Sequence, residues 1–260
     1  MKITKPQARL MEQVKSLLQK PTLTEDDKDF VLEHYIPPSV TNLAQFFTPQ
    51  PLARELMAFV PEAGTIVDFC AGIGGLSYAI SHEWNTSRRY ICIELDQELV
   101  EIGKKIMPQA EWVCGNIFDR NLLDRVVPDN SFAILNPPFG RYRKAENDFH
   151  YWLKYKGELS IMAVEAALRY CQDGVAILWQ NHAPFSFSGR HEYTRNHASE
   201  FDKMAKNYPG FEGVCCSIDT TFYPDFKFTK TVVELVSFGF EYGFSLEAEN
   251  PVASNQLTLF

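Results

Sequence analysis

Short apolar runs alternate with amphipathic stretches along most of this chain, and that alternation is the feature that most limits its fold. Strands that alternate with helices favour an α/β fold, with an open, mostly parallel sheet covered by helices on both faces. No helix is predicted between the last two strands, so we expect them to end the sheet as an antiparallel hairpin. The seven predicted strands fall at 65–69, 90–94, 112–114, 131–135, 174–180, 214–218 and 231–240. The helices predicted between and after them fall at 76–82, 96–106 and 158–171.

The N-terminal residues are predicted to form a helical extension. Apolar positions at helical spacing predict a helix over 6–19, and Thr24 is typical of the N-cap of a second helix. Thr48 followed by Pro49 predicts another helix start, with Thr48 as the cap and an apolar stretch at 52–60 behind it. The predicted parts of the chain are a helical extension at 1–43, a main domain at 44–246 and a flexible tail at 247–260.

Composition narrows the class of protein. At 260 residues and 45% hydrophobic content, the chain is long enough to bury a sizeable core in one medium domain. A net charge of −8 argues against histone-like binding of nucleic acid, although a local basic cleft is compatible with it. The six cysteines form no C-x-x-C pair, and they predict small core residues of a reducing compartment.

The sequence also predicts where the protein works. No apolar stretch approaches the ~18 residues that a membrane span needs, and the N-terminus lacks the apolar core of a signal peptide. The spacing of His182, His191 and His197 suits no standard metal-ligand set. We therefore expect a soluble, cytoplasmic protein with no metal site and no membrane contact.

Two features point to an adenosine-containing ligand. A glycine-rich turn between a predicted strand and a predicted helix has the sequence Asp68-Phe-Cys-Ala-Gly72-Ile-Gly74-Gly75. Glycines let the backbone approach a ligand, and the helix that follows offers unpaired N–H donors. Glu94 ends the second strand, where an acid is placed to accept the hydroxyls of a ribose. Either feature alone has a structural explanation, and a dinucleotide would fit both.

The motif that separates these alternatives is Asn136-Pro137-Pro138-Phe139, directly after the fourth predicted strand. Open α/β sheets bind their ligands at this carboxyl edge. A proline turn that ends a strand would explain the two prolines, but not the asparagine and phenylalanine beside them. The motif therefore indicates chemistry at the end of the fourth strand.

Together, the glycine turn, Glu94 and the Asn-Pro-Pro-Phe motif resemble the class I methyltransferases that act on exocyclic amines, specifically the DNA adenine-N6 methyltransferases. The motif order is similar to the γ arrangement of that family, in which a cofactor motif precedes the glycine turn. The segment Gln45-Phe46-Phe47-Thr48-Pro49 resembles that leading motif. The resemblance covers residues 44–242, and it implies S-adenosylmethionine as the cofactor and double-stranded DNA as the substrate.

The resemblance also assigns a cofactor site by position. Its members are Phe47, Thr48, Asp68, Gly72, Gly74, Glu94, Asn116 and Ile117. Thr48 and the two glycines would hold the methionine end of the cofactor, and Glu94 would bind the ribose. Asn116 departs from the family, which has an acid here for the adenine amino group, although its amide oxygen is still an acceptor.

The chemistry explains the catalytic motif. An aromatic amine is a poor nucleophile because its lone pair is delocalised into the ring. Acceptors at the Asn136 side chain and the Pro137 carbonyl would favour a pyramidal nitrogen that faces the sulfonium methyl. Pro138 stiffens the turn, and Phe139 would stack on a base that has left the duplex.

In the family an aromatic after the sixth strand covers the other face of the base, and Phe222 matches that position; hairpin packing is the alternative.

Basic residues follow the catalytic motif and recur in later loops. Those predicted to contact DNA phosphates are Arg141, Arg143, Lys144, Arg190 and Lys227. A solvated charged face is the alternative for any one of them. No large target-recognition domain is visible, so recognition would come from these loops, the N-terminal helices or the second subunit of a homodimer.

The last five residues resemble the peptide by which bacterial replication and repair proteins bind the sliding clamp. The polar stretch before them is typical of a flexible leash. A final strand or a hydrophobic plug on the domain is the alternative. The residues that would contact the clamp are Gln256, Leu257, Leu259 and Phe260.

Three other functions share parts of this pattern. Cytosine-C5 methyltransferases have a similar glycine turn, but they need a Pro-Cys nucleophile that this chain lacks. Methyltransferases of RNA adenine or guanine amines, or of glutamine amides, use the same Asn-Pro-Pro-Phe motif. A third alternative is an inactive methyltransferase fold that binds only DNA or the clamp, against which the intact catalytic and cofactor motifs argue. The Phe-Phe-Thr-Pro segment and the tail favour DNA.

Overall fold

The computed structural model describes residues 4–37, 47–82, 87–143, 152–171, 173–190, 192–223 and 231–240. Seven strands within these ranges form one sheet: β1 (Ala63–Asp68), β2 (Ser87–Glu94), β3 (Glu111–Cys114), β4 (Phe132–Leu135), β5 (Asp173–Trp179), β6 (Phe211–Cys215) and β7 (Val233–Phe240). Their order across the sheet is β3-β2-β1-β4-β5-β7-β6. The first five pair in parallel, and β7 pairs antiparallel with both β5 and β6. The predicted α/β class, mostly parallel sheet and final antiparallel hairpin are confirmed.

Helices cover both faces of this sheet. Those in the described ranges are α1 (Lys5–Leu17), α2 (Glu25–His34), α3 (Gln50–Glu55), α4 (Gly75–Ser81), α5 (Gln97–Ile106), α6 (Arg120–Val126), α7 (Leu159–Cys171) and α8 (Glu200–Ala205). One apolar cluster joins α1–α5 to one face, and a second joins α6–α8 to the other. A separate two-stranded ribbon pairs Phe185–Ser186 with Thr194–Arg195.

The central strands are buried on both faces of the sheet. Successive side chains of a strand point to opposite sides, so each central strand contributes to both apolar clusters. In β4, Ala133 and Leu135 pack in the cluster with α6–α8, while Ile134 between them packs in the cluster with α1–α5. Val175 and Ala176 in β5 divide between the clusters in the same way. Parallel strands covered in this manner need crossover connections, so the carboxyl ends of β1–β4 meet at one edge.

The N-terminal helices pack into the core of the main sheet. Both begin with a capping box, at Thr4 and at Thr24, so the Thr24 cap is confirmed. Val14 and Val31 are buried in the cluster that contains α4 and α5. The Tyr78 hydroxyl on α4 lies 3.1 Å from a Glu25 carboxylate oxygen on α2. The extension therefore supports the two helices that follow the glycine turn and β2.

The prediction that Thr48 caps a helix was wrong. α3 begins at Gln50, with Pro49 in the N-cap position and no side-chain hydrogen bond at the cap. Thr48 Oγ1 instead accepts a hydrogen bond from the Asn136 side chain. The remainder of the predicted helix ends as a short 3-10 turn, Leu56–Phe59.

Sequence periodicity misplaced one strand and missed two helices. β6 ends at Cys215 rather than running over 214–218, because the backbone of Ser217 adopts a φ of 57° that breaks the strand. α6 and α8 have seven and six residues, too few for an apolar period to be visible. Each begins at a residue whose side chain caps it, Asp119 or Ser199, and those caps were the available signal.

None of the helices in the described ranges has the length and hydropathy needed to cross a bilayer. Across those same ranges, no group of three His, Cys, Asp or Glu side chains is placed to hold a metal ion. The six cysteines, all of them described, are unpaired thiols.

Helix α5 contains a glycine that its packing requires. A Cβ on Gly103 would lie 2.0 Å from the Trp112 ring, whose Nε1 is held by donation to the Met107 oxygen at 3.1 Å. A mid-helix glycine-to-alanine change normally gains about 1 kcal/mol, but overpacking costs ~1–3 kcal/mol. At this separation the clash outweighs the gain, so Gly103→Ala should lower the free energy of unfolding in urea. Lys104→Ala, on the exposed side of α5, should change it by less than about 0.5 kcal/mol. Unchanged or increased stability of Gly103→Ala would contradict this packing.

Candidate functional site

A cleft of about 650 Å³ opens at the carboxyl edge of β1, β2, β3 and β4. Its volume lies in the usual range for small-molecule and cofactor sites. The predicted site residues that line it are Phe47, Thr48, Gly72, Glu94, Asn116, Ile117, Asn136, Pro137, Pro138, Phe139, Arg141 and Arg143. The fold thus brings together segments that are far apart in the sequence.

The glycine turn forms the floor of this cleft. Gly72 and Gly74 have φ angles of 56° and 88°, in the left-handed region that glycine adopts without strain. A Cβ on Gly72 would lie 2.8 Å from the ring of Phe47, so the bare backbone is what lets the ring pack there. The chain passes from the end of β1 through these two glycines directly into α4. At Gly72 the turn therefore presents backbone, rather than a side chain, to the cleft.

Glu94 connects the glycine turn to the start of α5. Its Oε2 accepts from Gly72 N at 2.8 Å, and its Oε1 accepts from Asp96 N at 3.0 Å. Burial raises the pKa of Glu94, and the backbone hydrogen bonds from Asp96 and Gly72 act in the opposite direction. Two backbone hydrogen bonds therefore hold the carboxylate in the lining of the cleft, where a ribose-binding acid was predicted.

The Asn136 side chain is oriented by Thr48. Asn136 Nδ2 donates to Thr48 Oγ1 at 3.0 Å, and the threonine is buried. With Nδ2 turned to the threonine, Oδ1 lies at the other end of the amide, where it can accept a hydrogen bond. Pro137 is buried, while Phe139 is half-buried and lines the cleft. One side-chain hydrogen bond therefore joins the segment before α3 to the segment after β4.

Asn116 lies in the cleft, but its side chain has a local partner. Its Oδ1 accepts from Phe118 N at 2.9 Å, closing a turn after β3. Ile117 beside it is buried and contributes apolar surface to the cleft. The oxygen predicted to meet an adenine amino group therefore already accepts one backbone hydrogen bond.

Among the described site residues, those outside the cleft lining are Asp68, Gly74, Arg190 and Phe222. Asp68 is fully buried beneath the glycine turn, where Ser77 Oγ donates to its Oδ2 at 2.9 Å. Gly74 is the N-cap of α4 and packs close to Trp112. Phe222 is 79% exposed on a 3-10 turn, Thr220–Phe222, and Arg190 is exposed on a loop. Lys144, Lys227, Gln256, Leu257, Leu259 and Phe260 lie outside the described residues.

The segment directly after the Asn-Pro-Pro-Phe motif pairs with the segment at the start of α7 through two backbone hydrogen bonds, each of 2.7 Å. Arg141 is exposed at the mouth of the cleft, and its Nε donates to the buried Glu158 carboxylate at 2.9 Å. Arg143 is also exposed and lines the cleft. The mouth of the cleft therefore carries two guanidinium groups, one of them fixed by a buried acid.

Several residues that line or support the cleft were not predicted from the sequence, and three of them hold or shape it. Gln50 Nε2 donates to Gly75 O at 3.1 Å and so ties α3 to the first turn of α4. Gln50 follows the Phe-Phe-Thr-Pro segment directly, and that position was a usable signal. Leu32 lines the cleft from α2, and Glu158 holds Arg141. Both depend on packing between distant segments, which no local pattern reports.

Comparisons with known proteins identify the fold. No protein-family model matches the sequence, and no curated protein matches it. The methyltransferase subunit of a type I restriction-modification system from Streptococcus thermophilus superposes with a TM-score of 0.55 at 13% identity, covering 85% of this chain and 51% of that one. A chain from a second structure of a type I restriction-modification system superposes with a TM-score of 0.52 at 13% identity, covering 90% of this chain and 46% of that one.

A third similar structure is the proposed RNA methyltransferase PH1948 from Pyrococcus horikoshii, with a TM-score of 0.49 at 16% identity, covering 84% of this chain and 99% of that one. This chain thus spans about half the length of the two type I restriction-modification chains. The seven-stranded sheet with its antiparallel end is the fold of the class I methyltransferases.

The buried Asp68 predicts a pH dependence of stability. Burial raises its pKa to about 7, and the hydrogen bond from Ser77 only partly offsets this. In the unfolded chain an aspartate titrates near pH ~4, so the native state holds the proton more tightly. The stabilisation from the protonated form is therefore complete below pH ~4 and is lost as the pH rises towards about 7. The free energy of unfolding of the wild type, minus that of Asp68→Asn, should fall across this window in urea titrations. Parallel pH profiles for the two proteins would contradict it.

Proposed function

We propose that this chain is an S-adenosylmethionine-dependent methyltransferase that transfers a methyl group to N6 of adenine in double-stranded DNA. The observation that carries the proposal is the hydrogen bond between Asn136 and Thr48 at the edge of the cleft. It joins the Asn-Pro-Pro-Phe motif to the Phe-Phe-Thr-Pro motif across 88 residues of sequence. A coincidental match to either motif would not require this contact.

The cleft fits S-adenosylmethionine in size and in most of its polar groups. Thr48 and the carbonyl oxygen of Gly72 would hold the methionine end, because Gly72 N already donates to Glu94. Both Glu94 oxygens accept backbone N–H groups, and each has a second lone pair for a ribose hydroxyl. Asn116 is the weakest part of the fit, because its Oδ1 already accepts from Phe118 N. An adenine amino group would therefore share that oxygen.

When bound, the cofactor supplies a methyl group on a positively charged sulfur. The residues of the chain bind the target amine and aim it. Asn136 Oδ1 and the Pro137 carbonyl would accept its two N–H groups, and the Thr48 contact sets the amide before the substrate arrives. Phe139 would stack on one face of the extrahelical base. Transfer of that methyl group to the amine would be balanced by loss of one amine proton to solvent.

One observation supports DNA as the substrate, and a second supports a nucleic acid of either kind. The neighbour with a TM-score of 0.55 is the methyltransferase subunit of a restriction-modification system. The exposed Arg141 and Arg143 at the mouth of the cleft suit the phosphates of a nucleic acid. RNA carries the same phosphates, so the choice between the two is made by the assay that follows.

The central test is transfer of a labelled methyl group from S-adenosylmethionine to duplex DNA and, in parallel, to ribosomal RNA. The wild type should label DNA at adenine N6. Asn136→Ala should reduce the rate at least ~100-fold, the scale of losing one transition-state hydrogen bond, while cofactor affinity measured by calorimetry stays unchanged. Asn121→Ala, on the exposed surface of α6, is the matched control. Near-normal turnover of Asn136→Ala would overturn the mechanism, and labelling of RNA alone would reassign the substrate.

We also propose, on sequence grounds, that Gln256, Leu257, Leu259 and Phe260 bind the bacterial sliding clamp. Aromatic and leucine anchors carry much of the affinity of such peptides, and the leash would raise the effective concentration of the enzyme at newly made DNA. Deleting residues 256–260 should abolish retention by the immobilised clamp and leave methylation of naked DNA intact. A Thr258→Ala variant should still bind. If the deletion unfolds the protein, or if the full-length chain does not bind the clamp, the tail has a structural role instead.

A further inference from the structure

A buried carboxylate beside the cleft accepts hydrogen bonds from several loop residues. Glu234, near the start of β7, is 1% exposed. Its oxygens accept from Gln180 Nε2 at 2.6 Å, Phe187 N at 2.8 Å, Ser188 N at 3.0 Å and Ser188 Oγ at 2.9 Å. All of these donors are neutral groups, and Gln180 directly follows β5. Burying a charge is costly unless hydrogen bonds satisfy it, so these loops and the carboxylate stabilise one another.

The network continues from Ser188 to the 3-10 turn Thr220–Phe222. Ser188 Oγ accepts from Thr220 N at 3.0 Å. Asp219 Oδ1 accepts from Gly189 N at 3.0 Å and from Thr221 N at 2.9 Å. Residues 187–190 and 219–222 are therefore joined by hydrogen bonds at two points and form one unit anchored on Glu234.

That unit displays two side chains suited to nucleic acid. Phe222 is 79% exposed at the end of the turn, and Arg190 is exposed directly after Gly189. The next residue, Tyr223, donates its hydroxyl to Glu55 on α3, so the turn is attached on its other side to the helix that follows Thr48. An aromatic ring offers a stacking face for a base, and a guanidinium offers paired donors for a phosphate.

We propose that Glu234 is a positioning residue that holds Phe222 and Arg190 as a single nucleic-acid-binding surface beside the cleft. Phe222 receives a base and Arg190 a backbone phosphate of the same duplex. The proposal rests on the proposed function for the identity of its partner. The anchoring itself rests on the hydrogen bonds alone.

Substitutions at Glu234 should have graded effects. Glu234→Gln keeps one carbonyl oxygen for the backbone donors and places an NH₂ group where the Ser188 hydroxyl now donates. That hydroxyl can turn to the Ile218 oxygen, 3.4 Å away. Glu234→Ala removes the acceptor for every donor. Amide hydrogen exchange at residues 187, 188 and 220 should therefore quicken in Glu234→Gln and more so in Glu234→Ala.

The binding test is a double-mutant cycle on the dissociation constant for a labelled duplex that the wild type methylates. Glu234→Ala should weaken binding at least about fivefold, as loss of one base–aromatic stack does. In a background lacking both side chains, Phe222→Ala with Arg190→Ala, the same change should cost less than about twofold, because coupled residues are non-additive. Glu234→Gln replaces Glu234→Ala if the latter fails to fold.

Glu165 supplies the matched control. It is likewise fully buried and accepts backbone N–H groups, from Lys154 at 2.6 Å and Tyr155 at 3.0 Å, but it anchors a different segment. Glu165→Gln should lower stability and leave amide exchange at 187, 188 and 220 as in the wild type. Its effect on duplex binding should be the same in both backgrounds.

The outcomes separate the two proposals. Additive effects of Glu234 with Phe222 and Arg190 would overturn the positioning role, as would unchanged exchange at 187, 188 and 220 in both Glu234 variants. A wild-type protein that binds no duplex would overturn the proposed function, and with it the partner named for this surface. Faster exchange together with a non-additive cycle would support both.

Discussion

Burial of β1, β4 and β5 on both faces constrains everything else in this molecule. Strands covered on two sides satisfy their backbone groups only through neighbouring strands, and their connections must cross the sheet as helices. All the parallel strands then end at one edge, and the loops that follow them are neighbours there. The glycine turn, Glu94 and Asn136 meet because each directly follows or ends one of these strands. The cleft is therefore a product of the sheet rather than of any single motif.

The loops at this edge are held largely by carboxylates with little solvent exposure. Glu94 joins the glycine turn to α5, Glu158 fixes Arg141, and Glu234 joins Gln180 and residues 187–188 to β7. One carboxylate accepts several hydrogen bonds at once, so it can hold irregular backbone that apolar packing cannot satisfy. Each of these acids is also a point where a single substitution disturbs two segments together.

The electrostatics beneath the glycine turn match the proposed cofactor. Burial raises the pKa of both Asp68 and Glu94. A cationic ligand above the turn would offset this by favouring the charged forms. S-adenosylmethionine has a net positive charge, because its sulfonium and ammonium groups outweigh its carboxylate, so its binding would relieve part of the cost of burying these two acids. The same cost gives the protein without cofactor the pH-dependent stability expected for Asp68.

Local pattern was sufficient for the α/β class, the five parallel strands and the part of the cleft that lies at the strand ends, because strands buried on both faces leave continuous apolar runs and their ends mark the ligand edge. Asn136, Glu94 and Gly72 could be found in this way. The resemblance of the tail to clamp-binding peptides likewise rests on sequence alone. Only the tertiary structure decided that Thr48 orients Asn136 instead of capping α3, that Asp68 lies beneath the cleft, and that Phe222 stands exposed. Those outcomes depend on contacts between distant segments, which residue spacing does not encode.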